Sequence, residues 1–150
     1  MGPGSGQGSG QGSGQGSGQG PGDWVRAFYE ARRANDPEAL RPWLAPDVRW
    51  SEPVVGEHMG LLIGPDAVID MLRRALATTG GSFSLRVVET IETGRHCAAI
   101  IEWQAEKEGR LIRGREMAVY GFSDGGSSGV RIREASFFAA NLEDDAAFWA

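Results

Sequence analysis

Four stretches of the second half of the chain, Phe83–Ile91, His96–Glu106, Leu111–Ser123 and Val130–Ala140, alternate apolar with polar residues. A period of two puts successive side chains on opposite faces, which predicts long strands with one face buried. The segments between them are short and rich in turn residues: Glu92-Thr93-Gly94, Lys107-Glu108-Gly109-Arg110 and Asp124-Gly125-Gly126. Connections this short cannot hold a crossover helix, so neighbouring strands must run antiparallel. Nearly a third of the chain, 44 of 150 residues, is thereby committed to one sheet, and that sheet needs a partner layer to cover its apolar face.

The residues before it supply that layer. Asp23 is a candidate N-cap for a first helix reaching about Ala34, with Trp24, Phe28 and Ala31 on its buried face. Asn35-Asp36-Pro37-Glu38 then reads as a turn and a helix start, with Pro37 at the first helical position. This second helix is short, because Pro42 and Pro46 interrupt it, and its anchors are Leu40, Trp43 and Leu44. A short strand from about Val48 to Glu52 ends at Pro53, and Gly56–Gly64 reads as a loop. Pro65 and Asp66 open a third helix with Val68, Met71, Leu72, Ala75 and Leu76 on one face. The expected class is α+β: a curved, cone-shaped antiparallel sheet packed against three N-terminal helices. The space between the curved sheet and its helices is the expected binding cavity.

Composition sets further bounds. Residues 1–22 hold 11 of the 23 glycines, no charged residue and four Ser-Gly-Gln-Gly repeats. Such a segment has nothing apolar to bury and is expected to be a disordered leader, a natural tether or an engineered linker. The globular domain is then expected over 23–150. One cysteine, Cys97, excludes an internal disulfide framework and a cysteine-rich zinc site. The net charge of −5 argues against non-specific nucleic-acid binding. No apolar run reaches the roughly 18 residues of a membrane span, and no signal peptide is evident, so a cytoplasmic location is expected.

Several runs resemble the nuclear transport factor 2-like superfamily. They are Asn35-Asp36-Pro37-Glu38-Ala39-Leu40, Leu44-Ala45-Pro46-Asp47-Val48-Arg49-Trp50, Gly60 to Val68, and the closing stretch with Phe137-Phe138 and Asp144 to Trp149. The resemblance covers about residues 23–150 and is nearest to the SnoaL-like branch, with its polyketide cyclases and relatives of ketosteroid isomerase and limonene epoxide hydrolase. It implies a cone fold and a homodimer formed through the outer sheet face. The superfamily hosts several reaction classes and non-catalytic subunits, so it does not fix an activity.

The candidate chemistry centres on Glu52. By alternation it shares a face with Val48 and Trp50, where loss of water raises a carboxyl pKa toward that of a useful general base. The isomerase-like relatives carry an acidic base before a Pro-Val pair, and Glu52-Pro53-Val54 matches that pattern. Their oxyanion donors have no counterpart, because the corresponding positions fall on Phe28 and near Ala118, and neither can donate a hydrogen bond. Tyr120 is the substitute donor, unless it is a core aromatic with a satisfied hydroxyl. Val130, Ile132, Glu134, Ser136 and Phe138 alternate onto one face, and so do Glu116, Ala118, Tyr120 and Phe122. An acid within an apolar set often marks a site, so Glu134 and Glu116 join the candidates. The competing reading pairs these glutamates with arginines on the outer face. His58 lies in the loop at the expected cavity rim, as an acid/base or as a solvated residue. Phe28, Trp50, Trp103, Glu116, Ser136 and Phe138 are the expected substrate contacts, and the aromatic content suits an apolar, ring-bearing ligand.

Neither a metal site nor a cofactor is expected: the chain has two histidines, and no phosphate loop follows a strand. The expected function is cofactor-free acid/base catalysis of isomerase or cyclase type on a small apolar carbonyl compound. Glu52 would be the base, with Tyr120 or Glu134 as the partner. Two alternatives stay open: a non-catalytic apolar-ligand-binding or assembly protein, and an epoxide or ester hydrolase using a carboxylate-held water.

Overall fold

The computed structural model describes residues 19–53, 60–124 and 129–150. Helix α1 spans Pro21–Arg32, with Gly20 as N-cap and Pro21 at the first helical position. The missing N–H of proline costs nothing there. The helix therefore starts three residues earlier than the expected Asp23 cap would place it, and Pro21 and Gly22 are buried in the fold. The Gly22 N–H donates to the Glu92 carboxylate at 2.7 Å, satisfying one of the first-turn donors. A side chain at residue 22 would collide with that carboxylate. The buried face of α1 is Val25, Phe28 and Tyr29, while Trp24 and Ala31 pack at its margin.

Pro37–Trp43 is a 3-10 helix anchored by the buried Leu40. Strand β1, Leu44–Ser51, starts earlier than expected. Strand β2, Leu61–Ile63, lies within the segment expected to be a loop and pairs antiparallel with β1. Helix α2, Pro65–Thr78, buries Val68, Ile69, Met71 and Leu72. Four long strands follow: β3 (Ser84–Thr93), β4 (His96–Lys107), β5 (Arg110–Phe122) and β6 (Ile132–Ala139). A further helix, α3 (Leu142–Trp149), closes the chain; the Asn141 side chain accepts from the Asp144 N–H at 3.0 Å. This adds a fourth helical segment to the three expected at the N-terminal side. None of the described helices is long and apolar enough to cross a membrane.

The six strands form one sheet in the order β2-β1-β6-β5-β4-β3. All neighbours are antiparallel except β1 and β6, which run parallel. That pair is joined by most of the chain, so the short-connection rule never applied to it. The inner face carries Cys97, Ala99, Ile101 and Trp103 from β4, and Ala118, Tyr120 and Phe122 from β5. Against them pack the buried faces of α1 and α2. A smaller cluster of Trp103, Ala105 and Phe148 seals the α3 end, with Phe83 and Trp149 beside it.

The register of β6 departs from strict alternation. Ile132 opposes Phe122 and Glu134 opposes Gly121, so Arg133 is an extra residue between them. One bulge residue exchanges the faces of everything beyond it. Ala135 and Phe137 are therefore buried, whereas Glu134 and Phe138 are exposed.

Candidate acid/base site

On β1 the alternation Val48, Trp50, Glu52 carries the chain inward, and the first two are fully buried. The Trp50 indole N–H donates to a Glu52 carboxylate oxygen at 2.7 Å, which fixes the carboxyl at the strand end. Glu52 borders a chamber of about 220 Å³ whose other walls include Arg32, Trp103, Glu116, Phe137 and Asp145. Trp103, Phe137 and several aliphatic side chains make the chamber largely apolar. A wider groove of about 920 Å³ shares Arg32, Leu72, Trp103 and Asp145 with it. A ring-sized group fits the chamber, and the groove leaves room for a longer substituent.

Burial governs the ionisation of the carboxyls. Loss of water raises the Glu52 pKa, while the Trp50 N–H and the Arg32 charge draw it partly back. Glu116 is pushed up to about 8, first by burial and then by the negative charge of Glu52. Asp145 is also raised, by burial and by neighbouring Asp144. Two acids on one chamber can divide the roles of base and acid where their environments hold their pKa values apart. At neutral pH Glu116 carries its proton and can donate a hydrogen bond.

The other expected site residues divide. Trp103 lines the chamber, and its indole lies across Gly114, where any Cβ would collide with it. Phe28 and Trp50 are fully buried and sit behind the chamber wall. Tyr120 is fully buried as well, and its hydroxyl is 2.6 Å from that of Tyr29. Burial raises both phenols well above their ordinary range, so both stay protonated. The Tyr120 hydroxyl is thus engaged inside the core and does not border the chamber, which is the core-aromatic reading of this residue and not the substrate-facing donor. Glu134, Ser136 and Phe138 were expected on the inner face; the bulge at Arg133 turns all three to the outer one. His58 lies outside the described residues. Glu102 faces outward, bonded to Arg86 and Arg115. Cys97 is buried and its thiol is pushed up to about 11, which makes it a poor nucleophile. Among the described residues, no three metal-ligating side chains converge on one point.

Arg32 and Asp145 are among the chamber residues that escaped the sequence reading. Arg32 follows Phe28 by four residues and Tyr29 by three, so it falls on their face once Tyr29 is recognised as buried. Asp145 arrives on α3, whose Asn141 cap and acidic first turn are a readable helix start.

The sequence pattern of the SnoaL-like domain matches residues 25–134. The chain belongs to the SnoaL-like family. No functionally curated protein matches this SnoaL-like protein by sequence. Solved structures similar to it include Bal32a from a soil-derived mobile gene cassette, at 21% identity and a TM-score of 0.77, covering 87% of this chain and 96% of that one. A nuclear transport factor 2-like protein of unknown function from Burkholderia pseudomallei is 24% identical, with a TM-score of 0.73 over 85% of this chain and 95% of that one. IdmH, a polyketide cyclase candidate from Streptomyces antibioticus, is 20% identical, with a TM-score of 0.69 over 88% of this chain and all of that one. At these identities the likeness establishes the nuclear transport factor 2-like fold.

Proposed function

We propose that this SnoaL-like protein is a cofactor-free acid/base enzyme of isomerase or cyclase type, acting on a small apolar carbonyl compound. The observation that carries the reading is the pair of carboxyls, Glu52 and Glu116, on one mainly apolar chamber, where burial raises both and the Glu52 charge raises Glu116 further. Glu52 takes a proton from the carbon next to the substrate carbonyl. The Glu116 carboxylic acid donates a hydrogen bond to the oxygen that becomes negative. The proton then returns from Glu52 to a different carbon; in the cyclase form the enolate carbon instead bonds to a second carbonyl carbon of the substrate, the π electrons of that carbonyl move to its oxygen, and that oxygen takes the proton from Glu52. Glu116 takes the partner role first assigned to Tyr120 or Glu134, because its side chain borders the chamber and theirs do not. The structural likeness to IdmH supports the cyclase form.

The test is a pH–rate profile on an enolisable apolar ketone found by screening. It is expected to be bell-shaped. Rate rises as Glu52 loses its proton, above the usual carboxylate range, and falls as Glu116 loses its own near pH 8. The two apparent constants belong to the coupled pair. A profile that is level from about pH 6 to pH 9 removes the pair from the mechanism. A hydrolase reading draws on the same observation, since Glu52, Glu116 and Asp145 border a space in which a water could be held. It is told apart by its product, a diol or an acid in place of an isomer.

The homodimer is likewise a proposal. Met117 and Phe138 are cross-strand neighbours on the outer face, and both are exposed. Exposed large apolar neighbours of this kind suit a subunit contact. Sedimentation equilibrium is expected to give twice the chain mass, and Met117→Glu combined with Phe138→Glu is expected to halve it. A single-chain mass for the unaltered protein rejects the dimer.

A further inference from the structure

Arg32 stands in the last turn of α1, partly buried, with its guanidinium 5.9 Å from the Phe28 ring centroid and 5.5 Å from that of Tyr29. It borders both the inner chamber and the outer groove. Among the described residues no carboxylate lies within 4 Å of it, although Glu52, Glu116 and Asp145 border the same chamber. No hydrogen bond between described residues engages its side chain either. A guanidinium offers five donors in a flat fork. A cation at a helix C-terminus gains a little from the helix dipole, and one over aromatic rings gains a little from them. Neither contact uses the donors, and a surface position would supply both without an apolar chamber.

We propose that Arg32 reserves the chamber for substrates that carry an acidic oxygen, a carboxylate or an ionised enol or phenol, in addition to an apolar ring. The planar fork receives that oxygen group at the mouth shared by chamber and groove. The ring then lies along Trp103 and Phe137 toward Glu52 and Glu116. A bidentate bond from arginine to a carboxylate is stronger than a neutral one, the more so where water is excluded. The inference deepens the acid/base reading and rests on it for the reacting end of the substrate, whereas the anion preference itself is a property of binding. Arg74 also borders the chamber, but it is exposed, so its charge is screened by solvent.

The test is isothermal titration of the full chain with two probes of equal shape, 2-naphthoate and 2-naphthamide. The unaltered protein is expected to bind the acid at least about tenfold more tightly than the amide, the effect of one charge-assisted contact. Arg32→Gln is expected to abolish that preference while leaving amide affinity within about twofold, and Arg32→Lys to keep part of it, since lysine retains the charge but not the fork. Equal binding of the two probes, binding of neither, or a preference that survives in Arg32→Gln and disappears in Arg74→Gln each overturns the assignment. Glu52→Gln separates this inference from the reaction. It is expected to retain the anion preference or strengthen it, because a nearby negative charge is gone. Loss of the preference in Arg32→Gln together with unchanged turnover in Glu52→Gln would sink the acid/base reading and leave the anion site standing.

Discussion

Glu52→Gln is expected to lower kcat of the proposed reaction by about 10²–10⁴-fold at neutral pH and to leave the protein folded, the range expected for loss of a positioned general base. The amide oxygen still accepts from the Trp50 indole N–H, so the side chain keeps its anchor at the end of β1. What disappears is the negative charge. The charge of Glu52 is the second cause of the raised Glu116 pKa, so the variant also moves the ionisation of Glu116 downward. Turnover, and the pH at which Glu116 ionises, are therefore expected to change together. Removing a carboxylate from an apolar chamber also raises the thermal midpoint, the usual trade between a site and the fold that carries it. Unchanged turnover in the folded variant rejects Glu52 as base.

Glu116→Gln has the largest expected effect on stability. The folded protein holds the Glu116 proton up to about pH 8, whereas the unfolded chain releases it near 4.5. Between those values the native state binds more protons than the unfolded state, so this group makes stability fall as pH rises. Below pH 4.5 both states are protonated and the group contributes nothing. Above pH 8 its full cost is present, on the order of 5 kcal/mol from the conversion of a pKa difference into free energy. The glutamine variant is expected to match the unaltered protein at pH 4 and to exceed it at pH 8.5, by roughly 10 °C in Tm for a domain of this size. Urea unfolding at the two pH values checks the sign directly. An equal gain at both would mean that packing, and not ionisation, distinguishes the two side chains. Glutamine still donates a hydrogen bond, so the alkaline fall in rate should vanish while part of the activity remains.

The architecture was largely legible because it rests on period and punctuation. The four long strands follow from alternation and short turns, and α2 from the apolar spacing after Pro65-Asp66. Placing Glu52 on the chamber needed only the alternation from Val48 through Trp50. The errors at the site share one cause, a phase that changes where the sequence gives no sign of it. Nothing in Val130–Phe138 marks Arg133 as a bulge, and that one residue sends Glu134, Ser136 and Phe138 to the outer face. On α1, assigning Trp24, Phe28 and Ala31 to the buried stripe rotated the helix by about one residue position from the observed Val25, Phe28 and Tyr29. That rotation hid Arg32, a charged residue on an otherwise apolar face. Tyr120 lay on the expected face, but its engagement with Tyr29 depends on two elements 91 residues apart, and no local pattern reports it.

The floor beneath the Trp103 indole is bare main chain, because residue 114 contributes no side chain there. Cavity depth therefore hangs on a single codon. Any side chain at residue 114 would meet the indole, and one of the two would have to move. A lineage could then explore ligands of different bulk through one small step.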